Sequence, residues 1–160
     1  MFASFAPESV GRRINILFRM SMRHLRQEMK DLDVGTSDYA FLAMLFVKDG
    51  QSQDELSRNM QVDKSYTARA VAKLEKSDMV RRLPDPHEHR IKRVFLTDKA
   101  WDKEKDFFRV LKTWQNILVR DIDPDTLRIL LAGMDQMIEN GQAFLGDGGR
   151  PDDIYLRKQI

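Results

Sequence analysis

Residues 52–96 read SQDELSRNMQVDKSYTARAVAKLEKSDMVRRLPDPHEHRIKRVFL, and the punctuation of this stretch decides the fold. Ser52 followed three positions later by Glu55 is a capping box, in which each side chain satisfies the other residue's free backbone N–H, and it opens a short helix ending near Met60. After about three residues, Asp63 supplies a cap for a second helix expected to run to about Ser77. Thr67, Ala70, Val71 and Leu74 recur on that helix at the spacing of a buried stripe, while Ser65, Tyr66, Arg69 and Lys73 fall on its other side. From Met79 the pattern becomes strand-like, in Val80–Leu83 and Arg93–Leu96, around a proline-flanked segment at 84–90 that is not helical.

Two short helices joined by a tight turn and followed at once by a basic hairpin have the layout of a winged helix-turn-helix. Upstream, apolar residues Val10, Ile14, Leu17, Phe18, Leu25, Met29 and Leu32 recur at three- and four-residue steps and predict one helix over 8–32. The sequence Val34-Gly35-Thr36-Ser37 breaks it and offers a hydroxyl cap to a helix through about 48, with Tyr39, Leu42, Leu45 and Phe46 on one stripe. Downstream, Thr97-Asp98 caps a helix over 98–120, and Asp123-Pro124 opens another to about Leu145, ended by Gly146, Gly148 and Gly149.

The expected class is therefore mainly α with a small β-hairpin wing (α+β), a winged helix-turn-helix lobe joined to a helical dimerisation lobe. Its parts are 1–34, an N-terminal helix of the dimerisation lobe; 35–97, the DNA-binding lobe; 98–146, the C-terminal dimerisation helices; and 147–160, a tail carrying Ile154, Tyr155 and Leu156. The long helices carry more apolar surface than a winged helix of roughly 65 residues covers, which points to a second copy of the chain.

Composition narrows the function. The 160 residues are 42% hydrophobic and 32% charged with no cysteine, so a disulfide framework, a thiolate zinc site and thiol-based peroxide sensing are excluded. No stretch approaches about 18 uninterrupted apolar residues, and the N-terminal residues lack the charge order of a secretory signal, so a cytoplasmic chain without a membrane partner is expected. Residues 58–93 hold ten Lys/Arg against five Asp/Glu, although the whole chain carries only +2. A basic segment in an otherwise acidic chain is the electrostatic footprint of a phosphate-binding surface.

An α-helix fits the major groove of duplex DNA, so Ser65, Tyr66, Arg69 and Lys73 are candidates to meet base edges and phosphates there. The hairpin is placed to reach an adjacent minor groove or the DNA backbone, with Lys64, Arg81, Lys92 and Arg93 as candidates to hold phosphates.

The run Asp63-Lys64-Ser65, then Leu74-Glu75-Lys76 and Val80-Arg81-Arg82, then Asp85-Pro86-His87-Glu88-His89-Arg90 and Val94-Phe95-Leu96-Thr97, resembles the recognition helix and wing of the MarR family of bacterial transcriptional regulators. That resemblance implies an acid-x-Arg pair on the wing, with the arginine in the minor groove and the acid holding it; Glu88 and Arg90 stand there, the acid one methylene longer than the family's aspartate. His89 replaces a frequent second arginine, and Ser77-Asp78 makes its turn without glycine. The resemblance further implies a homodimer on a pseudo-palindromic, inverted-repeat operator and release of a repressor by a small, often aromatic or phenolic, effector. Met20, His24 and Phe46 are the candidate effector contacts, because a methionine-rich apolar surface adapts to varied ligands and a histidine can orient an anion. No cofactor is implied.

Three other readings stay open from sequence. An activator of the same fold would use the same contacts. A winged helix can bind protein instead of DNA. An enzyme would have to start from His87-Glu88-His89 as metal ligands, yet no third ligand, phosphate-cradling loop or nucleophile elbow accompanies them.

Overall fold

The computed structural model describes residues 9–35 and 37–146. The elements run α1 (Val10–Glu28), a 3-10 turn (Lys30–Leu32), α2 (Tyr39–Val47), β1 (Gln51–Ser52), α3 (Gln53–Met60), α4 (Lys64–Lys76), β2 (Val80–Pro84), β3 (Lys92–Leu96), α5 (Asp98–Leu118) and α6 (Pro124–Gly146). The expected class holds: helices with one small antiparallel sheet in the order β1-β3-β2. The chain divides into two compact units at Asn116/Ile117.

The first unit owes its order to local chemistry. Ser9 caps α1, and the Ser52–Glu55 capping box forms as expected, with Ser52 N donating to Glu55 at 2.7 Å and Glu55 N to Ser52 Oγ at 3.2 Å. Asp63 accepts from Tyr66 N at 2.7 Å and starts α4. Asp78 makes the glycine-free turn after α4 by taking φ +57°, a left-handed conformation that Asp tolerates better than most residues. The core collects Leu25, Met29, Phe41, Leu42, Leu45, Leu56, Val71, Leu74, Met79, Val94 and Phe107, all at 2% exposure or less.

Several expectations are corrected. The first helix does not run unbroken from 8 to 32: the α-helix stops at Glu28, and the 3-10 turn carries Leu32 into the core before Asp33 closes it at φ +58°. The hydroxyl cap on α2 is absent at Ser37, because Asp38 occupies the cap position without a side-chain bond; Thr36 lies outside the described residues. Phe41, outside the expected stripe, is fully buried, since α2 is apolar on nearly every face. The strand β1 was not foreseen: Gln51 and Ser52 pair with Val94 and Arg93, so Ser52 serves as both strand and helix cap. Buried Gln51 donates to the carbonyls of Met44 (3.2 Å) and Lys48 (2.8 Å), closing the C-terminal end of α2, and accepts from Asn59 at 2.7 Å.

Gly50 sits at φ +71° with the Phe95 ring 2.6 Å from where a Cβ would stand, so this close approach needs glycine. In the second unit Asp123 accepts from Asp125 N and Thr126 N, Pro124 takes the first helical position as expected, and α6 buries none of its residues. The tail at 147–160 lies outside the described residues.

The stripe on α4 is as expected: Thr67, Ala70, Val71 and Leu74 are at most 2% exposed, while Ser65, Arg69 and Lys73 face outward. Leu74→Ala should therefore cost roughly 2–5 kcal/mol. Arg69→Ala should change stability by about 0.5 kcal/mol or less. Urea midpoints at fixed protein concentration check the pair, and equal losses would contradict the assigned faces.

Candidate nucleic-acid interface

Buried contacts on α3 and α4 set the direction of the exposed side chains. Ser57 Oγ donates to Thr67 Oγ1 at 2.9 Å in the interior, a bond that ties the two helices together behind the exposed face. On that face Ser65 and Arg69 are exposed, and Arg69 makes no ion pair with any described residue. Lys64 pairs with Asp54 at 2.9 Å, both well exposed.

The structure does not treat the remaining two candidates on α4 as free groups. Tyr66 is half-buried; its hydroxyl donates to the Ser37 carbonyl at 3.0 Å and its ring lies 5.9 Å from that of Phe41. Lys73 Nζ donates to Ser37 Oγ at 3.2 Å and stands 3.8 Å from the buried Asp38 carboxylate. Both therefore brace the start of α2 against the exposed side of α4. Sequence reasoning missed this because the turn at 37–38 is remote in the chain from both residues.

The hairpin forms in the register Val80↔Leu96 to Pro84↔Lys92. Its Pro84 is accommodated because β2 is a sheet edge. Arg81, Arg90 and Lys92 are exposed. Arg82, which carried no assigned role, bonds Glu75 on α4 through Nε at 3.1 Å and through Nη2, and this guanidinium holds the Glu75 carboxyl below its ordinary pKa. Glu88 and Arg90 are both exposed, and no ion pair joins them. Instead the wing's organising acid is Asp85. It is 6% exposed and accepts from Arg93 Nε and from the backbone N–H groups of His87 (2.8 Å) and Glu88 (3.0 Å). Arg93 also reaches the Gly50 carbonyl at 2.9 Å and Glu55 at 3.3 Å. The residue expected on phosphate thus has three acceptors inside the protein.

The three effector candidates do not line one cleft, although Met20 stands four residues before His24 on α1. Met20 is half exposed on α1, and Phe46 packs among Trp101, Phe107 and Phe108 with centroids 5.3–5.5 Å away. His24 stacks on Trp114 at 4.8 Å and has a buried Nε2 without a hydrogen-bond partner. It lines a cleft of about 440 Å³ together with the charged residues Glu28, Asp31, Lys103, Asp106 and Arg109. Neither Met20 nor Phe46 lines that cleft.

The MarR family model matches residues 36–92, which span α2, the two helices of the turn motif and most of the wing. A solved MarR transcriptional regulator from Methanosarcina mazei Go1 is 31% identical, with TM-score 0.77 over 84% of this chain and 97% of that one. This chain belongs to the MarR family. That family is one of transcriptional regulators and not of enzymes, which leaves His87-Glu88-His89 as a wing sequence and not the start of a catalytic centre. YybA of Bacillus subtilis, an HTH-type transcriptional regulator by name, is 36% identical over 73 residues, 46% of this chain; the chain spans about half, 49%, of that curated relative. A mutant MarR from E. coli complexed with operator DNA shares the fold, with TM-score 0.73 and 20% identity over 80% of this MarR-family chain and 92% of that one.

The Asp85 bonds carry a pH signature. The Arg93 guanidinium, followed by the His87 and Glu88 N–H groups, lowers its pKa to about 2, against about 3.9 for a free aspartate. Because the unfolded chain binds the proton more readily, this contribution to stability is complete above about pH 4 and lost as pH falls toward about 2. The wild type should therefore lose stability more steeply than Asp85→Asn across that window, as read from urea midpoints. Parallel curves would contradict it.

Proposed function

We propose that the chain is a sequence-specific DNA-binding transcriptional regulator working as a homodimer on a pseudo-palindromic, inverted-repeat operator. The observation that carries this reading is the joint exposure of Ser65 and Arg69 on α4 and of Arg81, Arg90 and Lys92 on the wing, while the inner faces of the same elements are buried. A helix presenting a donor-rich face beside a basic hairpin matches the major groove and its flanking minor groove. The E. coli MarR mutant that shares this fold is complexed with operator DNA, which supports DNA as the partner.

In this reading Arg69 and Ser65 contact the major groove, Arg90 enters the minor groove, and Lys64, Arg81 and Lys92 hold phosphates. Tyr66 and Lys73 brace α4 and lie at the margin of the contact, and Glu88 borders Arg90. Residues 35–97 form the DNA-binding lobe, and 1–34 with 98–146 supply dimerisation. Support for the second copy comes from uncovered apolar surface: Val10, Ile14, Leu17 and Phe18 on α1, and Ile129, Leu130, Leu131, Met134, Met137 and Ile138 on α6, are each 45% exposed or more. Two-fold pairing sets two α4 helices about one DNA turn apart. The regulator represses by occupying a promoter, and a small aromatic or phenolic effector releases it; the His24 cleft, with an unpartnered ring nitrogen over Trp114, is its candidate seat. A cytoplasmic site of action accords with this role, and among the described residues no helix is long and apolar enough to cross a membrane.

The test is Arg90→Ala, which removes one groove contact and should weaken operator binding by roughly 1–3 kcal/mol, about 5- to 150-fold, measured by fluorescence anisotropy. Wild-type affinity in that variant would overturn the wing assignment.

A further inference from the structure

We propose that Arg93 is a positioning residue that fastens the wing tip to the cap of α3, so that the placement of Arg90 at that tip depends on it. The proposal rests on the DNA-binding reading above. Arg93 lies one pair short of the tip end of the hairpin ladder, opposite Leu83, and its guanidinium meets acceptors from three separate segments: the Gly50 carbonyl before β1, Glu55 in the first turn of α3, and Asp85 at the corner of the tip.

Each acceptor is itself fixed. Glu55 is held in the capping box by Ser52 N, and Gly50 is pressed against the Phe95 ring. Asp85 divides its carboxylate, one oxygen taking Arg93 and the other gathering the N–H groups of His87 and Glu88. The chain then closes the tip with Asp85 N donating to the Ile91 carbonyl and Ile91 N to that of Glu88, at 2.9 and 2.8 Å. Arg90 lies within that closed segment. The other ion pair joining hairpin to helices among the described residues, Arg82 with Glu75, acts on β2 and α4 and leaves the tip corner to Arg93. A side chain at the end of a loop binds tightly only when the loop is ordered in advance, which is what this network provides.

The sign of one substitution separates positioning from charge. Asp85 is an anion near the phosphate-facing wing, so its neutralisation favours DNA if electrostatics alone operate. Positioning requires the opposite. Asp85→Asn should weaken operator binding roughly tenfold, the middle of the range for coupled neighbouring side chains, and should add little to the loss already present in Arg90→Ala. Unchanged or tighter binding by Asp85→Asn, or fully additive losses in the double variant, would overturn the proposal.

A second readout needs no DNA. Trypsin cleavage after Arg90, followed by mass spectrometry, should be several-fold faster in Asp85→Asn than in wild type at matched far-UV circular dichroism, and an equal rate would overturn the proposal. Wild type that binds no duplex would defeat the DNA-binding reading, and the cleavage rate would still judge the tip. If Asp85→Asn fails to fold, Glu55→Gln, which keeps an acceptor for Ser52 N, is read by the same two criteria.

Discussion

Burial of Thr67, Ala70, Val71 and Leu74 fixes the rotation of α4 about its own axis, and every exposed group on that helix takes its direction from this rotation. The caps of this 13-residue helix set where it starts and stops, and side-chain packing sets which way it faces. The Ser57–Thr67 hydroxyl bond refines the same constraint, because a buried polar pair is satisfied in one relative placement of α3 and α4 and costly in others. From that fixed inner face follow the outward Ser65 and Arg69, and from the next turn of chain follows a hairpin that starts beside the C-terminal end of α4.

Much of this was legible in the residues. Caps and turns read well because they are local: Ser52 with Glu55, Asp63, Asp123-Pro124 and the proline-rich tip each announce themselves within four residues. The buried stripe of α4 read well because period and polarity agree there. Three features were hidden, and each depends on a distant partner. Tyr66 and Lys73 look like groove contacts on a helical wheel, and they turn to Ser37 and Asp38 because α2 passes beside them. Arg93 looks like a phosphate ligand on a basic hairpin, and it turns inward to Asp85, Glu55 and Gly50. The third strand rests on two residues, too short to leave a period in the sequence.

Two of the wing's arginines, Arg90 and Arg93, thus stand in different surroundings, although composition alone would assign both the same role. Arg93 is surrounded by acceptors, and its pKa is raised, first by the hydrogen bond to Asp85, so it stays charged and held. Arg90 is exposed on the tip, with no ion pair to any described residue. Of the long helices, α1 and α6 keep broad apolar faces exposed, and α6 buries no residue.

The account stands or falls on a duplex. Fluorescence anisotropy of the purified protein should be measured with the DNA upstream of its own coding region and with a scrambled duplex of equal length, at about 50 and about 200 mM salt. The account predicts tighter binding to the native duplex and an affinity that falls steeply with salt, by about 10³–10⁵ if roughly 6–10 phosphates are neutralised. A folded protein that binds neither duplex, or binds both equally with no response to salt, would contradict it.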